Sequence, residues 1–156
     1  MKSETRPAGP EKPAVMPPLI EVKGLVTTFF TDEGVFRAVD GVDFEIPTGK
    51  TLGLVGESGA GKSVTGFAII NLISKPGYIS KGNILFNGQD LASLSDEEMR
   101  HIRGNRISMI FQDPMMTLNP VLRIDTQMIE ALRAHGRPWR GAAAAGLLRS
   151  VSMPEP

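Results

Sequence analysis

The chain has 156 residues, of which 41% are hydrophobic and 22% are charged, so its composition is that of an ordinary globular protein with one core. Its 17 basic and 17 acidic residues give a formal net charge of zero, which argues against a dedicated nucleic-acid-binding protein. The absence of cysteine excludes a disulfide scaffold, a thiolate zinc site and a cysteine nucleophile. No apolar run approaches the ~20 residues that span a bilayer, so we expect a soluble chain of cytosolic type.

The first 18 residues differ in composition from everything that follows. They contain five prolines mixed with charged residues and have no apolar centre of the kind that a signal peptide requires. Such a segment cannot bury enough apolar area to offset the entropy lost on ordering. We therefore predict a disordered tail over residues 1–18 and a folded region over residues 19–156.

Two extended strands are predicted between Ile20 and Ile46, joined by a turn at Asp32–Gly34. Pro47–Lys50 has the composition of a second turn. Residues 51–55 that follow are mostly apolar, a pattern typical of a short strand that is buried on both faces.

The rest of the chain alternates between helical and extended patterns. Ser95 and Glu98 have the spacing of a capping box, which predicts a helix that begins there and runs to about Arg103. The other predicted elements are a helix over 62–73, strands over 83–86 and 106–111, a turn at 87–88, a loop over 112–120, and helices over 125–134 and 141–151. Strands and helices that alternate around a glycine-rich loop predict an α/β fold.

The glycine-rich loop has the pattern G-x-x-x-x-G-K-[ST] at every fixed position. Its residues are Gly56, Glu57, Ser58, Gly59, Ala60, Gly61, Lys62 and Ser63. In this pattern the glycines let backbone N–H groups converge at the start of a helix, where phosphate oxygens bind. The lysine adds a positive charge that reaches the β- and γ-phosphates, and the hydroxyl can coordinate Mg²⁺. The pattern therefore predicts a nucleoside triphosphate site. The alternative is an ordinary glycine turn followed by a surface lysine.

The loop alone does not separate the classes of nucleotide-binding protein. A GTPase would carry D-x-x-G and N-K-x-D motifs, and neither occurs in this chain. A small-molecule kinase would need an arginine-rich lid, for which Arg133, Arg137 and Arg140 are the only cluster. A solvated helix face explains those three arginines equally well.

Four blocks of the sequence resemble ATP-binding-cassette (ABC) ATPases, and within them the oligopeptide/dipeptide importer subfamily. Residues 53–63 resemble the Walker A region, and residues 109–120 resemble the Q-loop with its Asp-Pro-Met opening and Leu-Asn-Pro close. Residues 37–42 and 82–88 agree as well. The resemblance implies a P-loop NTPase core with an antiparallel β subdomain.

The resemblance also implies roles for individual residues. Residues 56–63 would hold the phosphates of ATP, and Ser63 would coordinate Mg²⁺. Gln112 would be the Q-loop glutamine, which touches Mg²⁺ or the attacking water. Phe29 would stack on adenine, with Phe30 as the alternative and plain core packing as the other interpretation of either ring.

Several neighbouring residues admit other interpretations. Asp113 ends an apolar segment and could be taken for a Walker B aspartate, but Gln112 and Pro114 on either side of it argue against that role. His101 and His135 are expected at the surface. The resemblance also implies that Met115, Met116 and Leu118 would offer adaptable apolar contacts to a membrane subunit.

The chain also departs from the family pattern. It contains no signature motif, no apolar strand that ends in Asp-Glu, and no switch histidine. We therefore expect the N-terminal part of a nucleotide-binding domain, truncated before the signature motif, with no catalytic residue of its own and no activity alone. The alternative is a nucleotide- or partner-binding module without catalysis.

The resemblance implies a location and partners for the whole transporter. The ATPase would lie on the cytoplasmic face of the inner membrane, held there by integral-membrane permease subunits. A second ATP-binding subunit and a solute-binding protein would complete an importer of peptides or similar small solutes. No role with nucleic acid is expected.

Overall fold

The computed structural model describes residues 17–113, 117–136 and 141–153. The chain divides into two compact units. The first runs to Ile69 and includes Ile73–Ala92, and the second comprises Ile70–Leu72 and Ser93–Pro156. Most of the predicted disordered tail, residues 1–16, lies outside the described residues.

The first unit is built on a four-stranded antiparallel sheet in the order β2-β1-β3-β4. The strands are β1 (Ile20–Thr31), β2 (Gly34–Ile46), β3 (Gly77–Phe86) and β4 (Gln89–Asp90). The predicted turn at 32–34 joins β1 to β2, and the Asn87–Gly88 turn joins β3 to β4. The antiparallel β subdomain is thus confirmed, and its third strand begins six residues earlier than the sequence suggested.

The core of this unit is formed mainly by residues of β1 and β3. Val22, Leu25, Val26, Ile84 and Phe86 are buried there, and Leu91 joins them from a short 3-10 helix over Leu91–Ser93. The register between β1 and β2 shifts near Gly24, whose backbone has a positive φ of 54°. The Asp43 carboxylate accepts a hydrogen bond from the Gly24 N–H at 2.7 Å, so the irregular backbone there keeps a partner.

One helix, α1 (Lys62–Ile69), completes the described elements of the first unit and lies against β1 and β2. Thr65 and Ala68 are its buried residues. The sequence predicted a helix that continues to residue 73, and this predicted end is wrong because α1 ends at Ile69. Residues 70 and 71 form a turn in which Asn71 has a φ of 51°, a left-handed conformation that ends helices.

Two predicted strands are not present, and these predictions were wrong. Residues 51–55 pair with no described strand, and Val55 is 97% exposed instead of buried. Residues 106–111 make a single bridge, between Arg103 and Ile107, and Ile110 is 93% exposed. An apolar run becomes a strand only when another strand satisfies its backbone N–H and C=O groups, and no described strand does so here.

The second unit is helical in its described residues. Its helices are α2 (Asp96–Ile102), α3 (Ile124–Ala134) and α4 (Gly141–Ser150), close to the predicted positions. Met99 of α2 is fully buried, and Ala144 of α4 is buried as well. No helix within the described ranges is long and apolar enough to cross a membrane.

The predicted capping box at the start of α2 is confirmed. The Ser95 backbone N–H donates to the Glu98 carboxylate at 2.8 Å, and the Ser95 Oγ accepts from the Glu98 N–H at 3.4 Å. The Ser95 hydroxyl also lies 2.6 Å from the same carboxylate. These bonds from the Ser95 hydroxyl and N–H stabilise the anion and lower the pKa of Glu98 from its ordinary value.

Candidate functional site

The glycine loop (residues 56–63) leads directly into α1, as its sequence pattern predicts, whereas the strand predicted before it at residues 51–55 is not present. Residues 58–59 form a turn, and the helix begins at Lys62. Gly59 and Gly61 have positive φ angles of 84° and 81°, a backbone conformation that glycine adopts without steric cost. Glycines at these two positions therefore allow the chain to fold back on itself before the helix starts.

Gly61 is also required because the loop lies close to β2. A Cβ atom at this position would overlap the carbonyl oxygen of Ala38 and would lie 3.4 Å from the Cγ2 of Val39. Gly56 has a similar restriction, since a Cβ there would lie 3.1 Å from the Cβ of Ala60. A side chain at Gly56 or at Gly61 would thus be crowded by neighbouring atoms of the loop or of β2.

The side chain of Lys62 folds back over the loop. Its Nζ donates to the carbonyl oxygen of Gly56 at 2.8 Å and to that of Glu57 at 2.6 Å. Both partners are neutral dipoles, so the positive charge has no carboxylate partner in the described part of the chain. This arrangement holds a cation at the mouth of the loop.

The start of α1 presents backbone donors to the same place. The first N–H groups of a helix have no intrahelical acceptor, and together they carry a partial positive charge. The first turn of α1 contains no acidic residue that would compensate this charge. Thr65 instead turns inward, and its hydroxyl donates to the Gly61 carbonyl oxygen at 3.0 Å. The helix start and the lysine therefore form one electropositive site.

A cavity of about 420 Å³, which we call the aromatic cavity, adjoins this helix start. Among the described residues, Lys62 is the only charged one that lines it. The lining residues are Phe29, Thr31, Phe36, Ala38, Gly59, Ala60, Gly61, Lys62, Ser63 and Val64. An apolar wall thus faces a cationic, donor-rich end, the combination that suits a ligand with one apolar and one anionic part.

The apolar wall is formed by two phenylalanines on neighbouring strands. Phe29 of β1 and Phe36 of β2 are directly opposite each other in the sheet. Gly77 of β3 makes room for the Phe29 ring, because a Cβ at Gly77 would overlap it. Phe36 is 56% exposed, so a ligand in the cavity can reach its ring. The sequence reasoning missed Phe36, although the two-residue turn between the strands fixes its position opposite Phe29.

Phe30, the alternative to Phe29 in the sequence, lies elsewhere. It does not line the aromatic cavity, and it is 53% exposed. Its ring stacks on Tyr78 with a centroid separation of 5.5 Å. Side chains alternate between the faces of a strand, so adjacent Phe29 and Phe30 point in opposite directions.

Gln112 belongs to the second unit, where it is exposed in a segment without regular secondary structure. Asp113 beside it is also exposed. Met115 and Met116 lie outside the described residues, whereas Leu118 lines a groove of the second unit. Of the two histidines, His101 is exposed as expected and His135 is half-buried.

Metal ligands in the described part of the chain are sparse. It contains no group of three His, Asp or Glu side chains that could hold an ion. Ser63, the predicted Mg²⁺ ligand, is exposed and lines the aromatic cavity beside Lys62. A hydroxyl at this place suits an ion whose other ligands are water and ligand phosphate oxygens.

Leu118 lies in a groove of the second unit that has a volume of about 740 Å³. Six of the ten described residues that line it are apolar, and the full lining is Thr117, Leu118, Asn119, Leu122, Ile124, Gln127, Met128, Glu130, Ala131 and Ala134. We call this surface the α3 groove.

The sequence pattern of the ABC transporter family matches residues 39–155. The chain is 48% identical over 142 residues to the oligopeptide transport ATP-binding protein OppD of Bacillus subtilis (strain 168), which covers 88% of this chain and 40% of the relative. It is 40% identical over 141 residues to the dipeptide transport ATP-binding protein DppD of Escherichia coli (strain K12), covering 88% of this chain and 43% of the relative. The chain thus spans less than half the length of these curated relatives.

The fold is similar to that of solved ABC cassettes. The dimeric structure of the bacterial ABC transporter cassette MJ0796 matches with a TM-score of 0.67 at 24% identity, covering 80% of this chain and 51% of the cassette. A post-hydrolysis structure of the same cassette, bound to ADP and Pi, matches with a TM-score of 0.67 at 23% identity and the same coverage. These matches confirm the predicted fold class.

Proposed function

This chain belongs to the ABC transporter family, and we propose that it binds Mg-ATP at the glycine loop as part of the ATP-binding subunit of a peptide importer. One observation carries the proposal. The cation of Lys62 and the uncompensated start of α1 meet at one end of a cavity whose other wall is aromatic. A nucleotide has the matching chemistry, because it joins a polyanion to an aromatic base.

The phosphates would bind at the loop through two kinds of donor. Backbone N–H groups at the start of α1 point to where the oxygens would lie. Lys62 would exchange the carbonyl oxygens of Gly56 and Glu57 for phosphate oxygens, which carry full negative charge. The Lys62 ammonium is attracted more strongly by an oxygen with full negative charge than by a neutral carbonyl dipole, so this exchange favours the bound state.

Mg²⁺ would be held by the Ser63 hydroxyl and by phosphate oxygens. When bound, it neutralises charge on the β- and γ-phosphates. Ser63 is exposed at the same helix start, so it can meet an ion there without a change of the backbone. Gln112 is the proposed second contact to the ion or to the attacking water, a role that rests on its match to the family pattern.

The base would lie against the rings of Phe29 and Phe36. Aromatic rings gain from offset stacking on one another in addition to the apolar area they bury. Both rings line the cavity, and only Lys62 brings charge to it. The aromatic wall thus supports adenine binding by Phe29, and it adds Phe36 as a second contact.

The names of similar proteins support a proposal for the cargo and the partners. Proteins similar to this chain are named for oligopeptide and dipeptide transport. We infer that this chain couples ATP to the uptake of peptides or similar small solutes, with permease subunits, a second ATP-binding subunit and a solute-binding protein. It would be held at the cytoplasmic face of the inner membrane by the permease.

The α3 groove is the proposed contact with the permease. Its apolar lining, with Leu118 and Leu122 both exposed, suits the insertion of a short helix from a membrane subunit. Leu118→Asp, alone and with Met115 and Met116 also replaced by Asp, should weaken assembly in the whole transporter while nucleotide binding stays nearly unchanged. Co-purification of the permease at the wild-type level would contradict this role.

A second function is favoured by the chemistry of the cavity. None of the described residues that line it carries a carboxylate, the usual group that polarises an attacking water. A polypeptide of residues 1–156 would then bind nucleotide without hydrolysing it.

Calorimetric titration tests the nucleotide site. We expect affinity to fall in the order ATP, ADP, AMP, because each phosphate that is removed loses contacts with Lys62 and the helix start. Lys62→Ala should weaken ATP binding by about 10- to 100-fold, the value of one charge-assisted hydrogen bond or slightly more. Lys50→Ala, which changes an exposed lysine outside the cavity, is the matched control. Equal ATP affinity in the two variants would refute the site.

A further inference from the structure

A second cavity, lined by the ends of α2 and α3, has no role in the proposed function. It lies wholly within the second unit and has a volume of about 330 Å³. Its lining residues are Glu97, Arg100, His101, Arg103, Ala134 and His135. We call it the histidine cavity. Four of its six residues carry N–H donors on side chains that are or can become cationic, against one carboxylate.

Arg103 is fixed in this cavity by two strong hydrogen bonds. Its Nε donates to the carbonyl oxygen of Ile70 at 2.7 Å, and its Nη2 donates to that of Asn71 at 2.6 Å. A guanidinium has five N–H donors, so three of them stay available after these two bonds. Because both partners are neutral carbonyl groups, the charge of Arg103 is not neutralised by them.

The His135 ring, another part of the lining, packs against the backbone of Gly104, where no side chain is in its way. A Cβ atom at Gly104 would lie 2.6 Å from the Nε2 atom of His135, so the imidazole sits directly on the backbone there. The backbone N–H of His135 donates to the carbonyl oxygen of Leu132 and thereby ends α3. Two walls of the cavity are therefore positioned by specific contacts.

Arg100 and His101 lie in the last turn of α2 and complete the lining. Glu97 is one turn earlier on the same helix, at the spacing that favours an ion pair with Arg100. No such pair is seen among the described residues, and the ion pairs Lys23–Glu21, Arg37–Asp40 and Arg123–Asp125 involve neither side chain. The Arg100 guanidinium is thus free to bind an added anion.

We propose that the histidine cavity binds a phosphate-class oxyanion, with Arg100 and Arg103 as the charged contacts and His101 and His135 as further donors. Planar guanidinium groups match tetrahedral oxyanions through paired N–H donors. A transition metal is the poorer fit, because the described residues contain no cluster of three suitable ligands. The same chemistry recognises a free phosphate and the phosphate of a lipid headgroup.

The first test measures inorganic phosphate binding by calorimetry to the chain of residues 1–156. Every protein carries Lys62→Ala, which weakens the glycine loop as a competing phosphate site. In this background we expect Arg100→Ala combined with His135→Gln to weaken binding about tenfold or more, and Arg149→Ala on α4 to leave it unchanged. Equal affinities for the two, or no phosphate binding to the Lys62→Ala protein, would overturn the proposal.

Gly104→Ala provides a second variant that removes no charge. A methyl group at this position must displace the His135 ring, so phosphate affinity should fall although both arginines stay in place. Far-UV circular dichroism checks that each variant keeps its helices. Unchanged affinity in Gly104→Ala together with unchanged affinity in the double variant would place the anion elsewhere.

Sulfate tests the contribution of the two imidazoles to anion binding. His101→Ala combined with His135→Ala removes N–H donors from the cavity lining, so it should weaken sulfate binding while both arginines stay in place. Wild-type sulfate affinity in this variant would contradict a role for the imidazoles.

Vesicles distinguish the two sources of phosphate. Co-sedimentation with phosphatidylglycerol vesicles, but not with phosphatidylcholine vesicles, assigns the cavity to an anionic headgroup if Arg100→Ala reduces it. Binding of inorganic phosphate without vesicle binding assigns it to a free anion. Either result supports an oxyanion site, and the absence of both would exclude it.

Discussion

The Nζ atom of Lys62 lies 2.6 Å from the carbonyl oxygen of Glu57, within the loop that the lysine itself terminates. The side chain thus bridges back to the start of the loop, where it bonds the carbonyl oxygens of both Gly56 and Glu57. Its carbonyl partners are weaker acceptors than a phosphate oxygen, so a polyanion can displace them. The free protein holds the loop in shape with the same cation that the ligand would use.

The first prediction concerns the loop without ligand. Lys62→Ala removes two hydrogen bonds to the carbonyl oxygens of Gly56 and Glu57, so residues 56–61 should become more mobile. Hydrogen–deuterium exchange of the ligand-free protein should be faster there in the variant than in the wild type, while β1 and β3 are unaffected. Equal exchange in the loop would mean that the backbone alone fixes its conformation.

The second prediction concerns the aromatic wall. Phe36→Ala and Phe29→Ala should each weaken ATP binding about 2- to 10-fold, the value of one aromatic contact, because the base loses a stacking partner. Neither should change the affinity for inorganic tripolyphosphate, which has no base. Phe30→Ala is the matched control, since Phe30 stacks on Tyr78 away from the cavity.

A different pattern of affinities in these variants would change the roles assigned to Phe29 and Phe36. If Phe36→Ala weakens ATP and tripolyphosphate equally, the variant has damaged the fold of the loop and not a contact with the base. If only Phe29→Ala has an effect, the base lies on β1 alone.

The position of Phe36 also marks a limit of sequence reasoning. The turn at residues 32–33 pairs Thr31 with Gly34, and the same count along the strands pairs Phe29 with Phe36. The signal was therefore present in the hairpin, a local structure whose register depends on a few turn residues. It was missed because Phe36 was counted only as one apolar residue of a strand.

Non-local pairing accounts for the wrong strands. Residues 51–55 and 106–111 have apolar runs typical of buried strands, yet neither segment has a described strand beside it. A helix cap such as Ser95 with Glu98 involves residues three apart, so the sequence pattern alone predicts it correctly. A parallel strand depends on partners that are distant in the chain, and a local pattern does not contain them.

The third prediction tests the close approach of the loop to β2. Gly61→Ala places a methyl group against the Ala38 carbonyl oxygen and also strains a backbone with a φ of 81°. We expect a lower melting temperature and a loss of ATP affinity, measured by thermal denaturation and calorimetry. Gly53→Ala is the control, because its Cβ meets no atom within 4 Å and its φ is not positive. Similar stability of the two variants would contradict the close packing.

The fourth prediction is a pH dependence at the start of α2. Hydrogen bonds from Ser95 lower the pKa of Glu98, so the folded state favours the carboxylate more than the unfolded state does. The stabilising contribution is fully present above the ordinary carboxyl pKa of 4.5, and it is lost as the pH falls through the lower pKa of the folded state.

Thermal denaturation at pH 7 and at pH 3 measures this contribution. Ser95→Ala removes the hydroxyl that makes the largest contribution to the shift, so the variant should lose less stability on acidification than the wild type. Glu97→Gln in the same turn is the control, because Glu97 is not part of the capping box. An identical loss in wild type and Ser95→Ala would contradict the pKa shift.

The fifth prediction is that a polypeptide of residues 1–156 binds ATP without turning it over. The lining of the aromatic cavity supplies Lys62 and Ser63 but no carboxylate. Absence of a general base alone costs ~10²- to 10⁴-fold in rate. Phosphate release above a few per cent of the rate of a complete homologous domain would contradict it, and Glu57→Gln and Asp113→Asn would then identify the residue responsible.

The stacked rings of Phe30 and Tyr78 give the first unit an optical label of its own. Tyr78 is the only tyrosine of the chain, and Thr28 lies directly opposite it, so the rings meet diagonally across β1 and β3. An aromatic side chain held in a fixed asymmetric environment produces near-ultraviolet circular dichroism, and that signal disappears when packing is lost. The intensity of the tyrosine band therefore reports on the pairing of these two strands in unlabelled protein. Phe30→Leu would reduce that intensity without removing the chromophore.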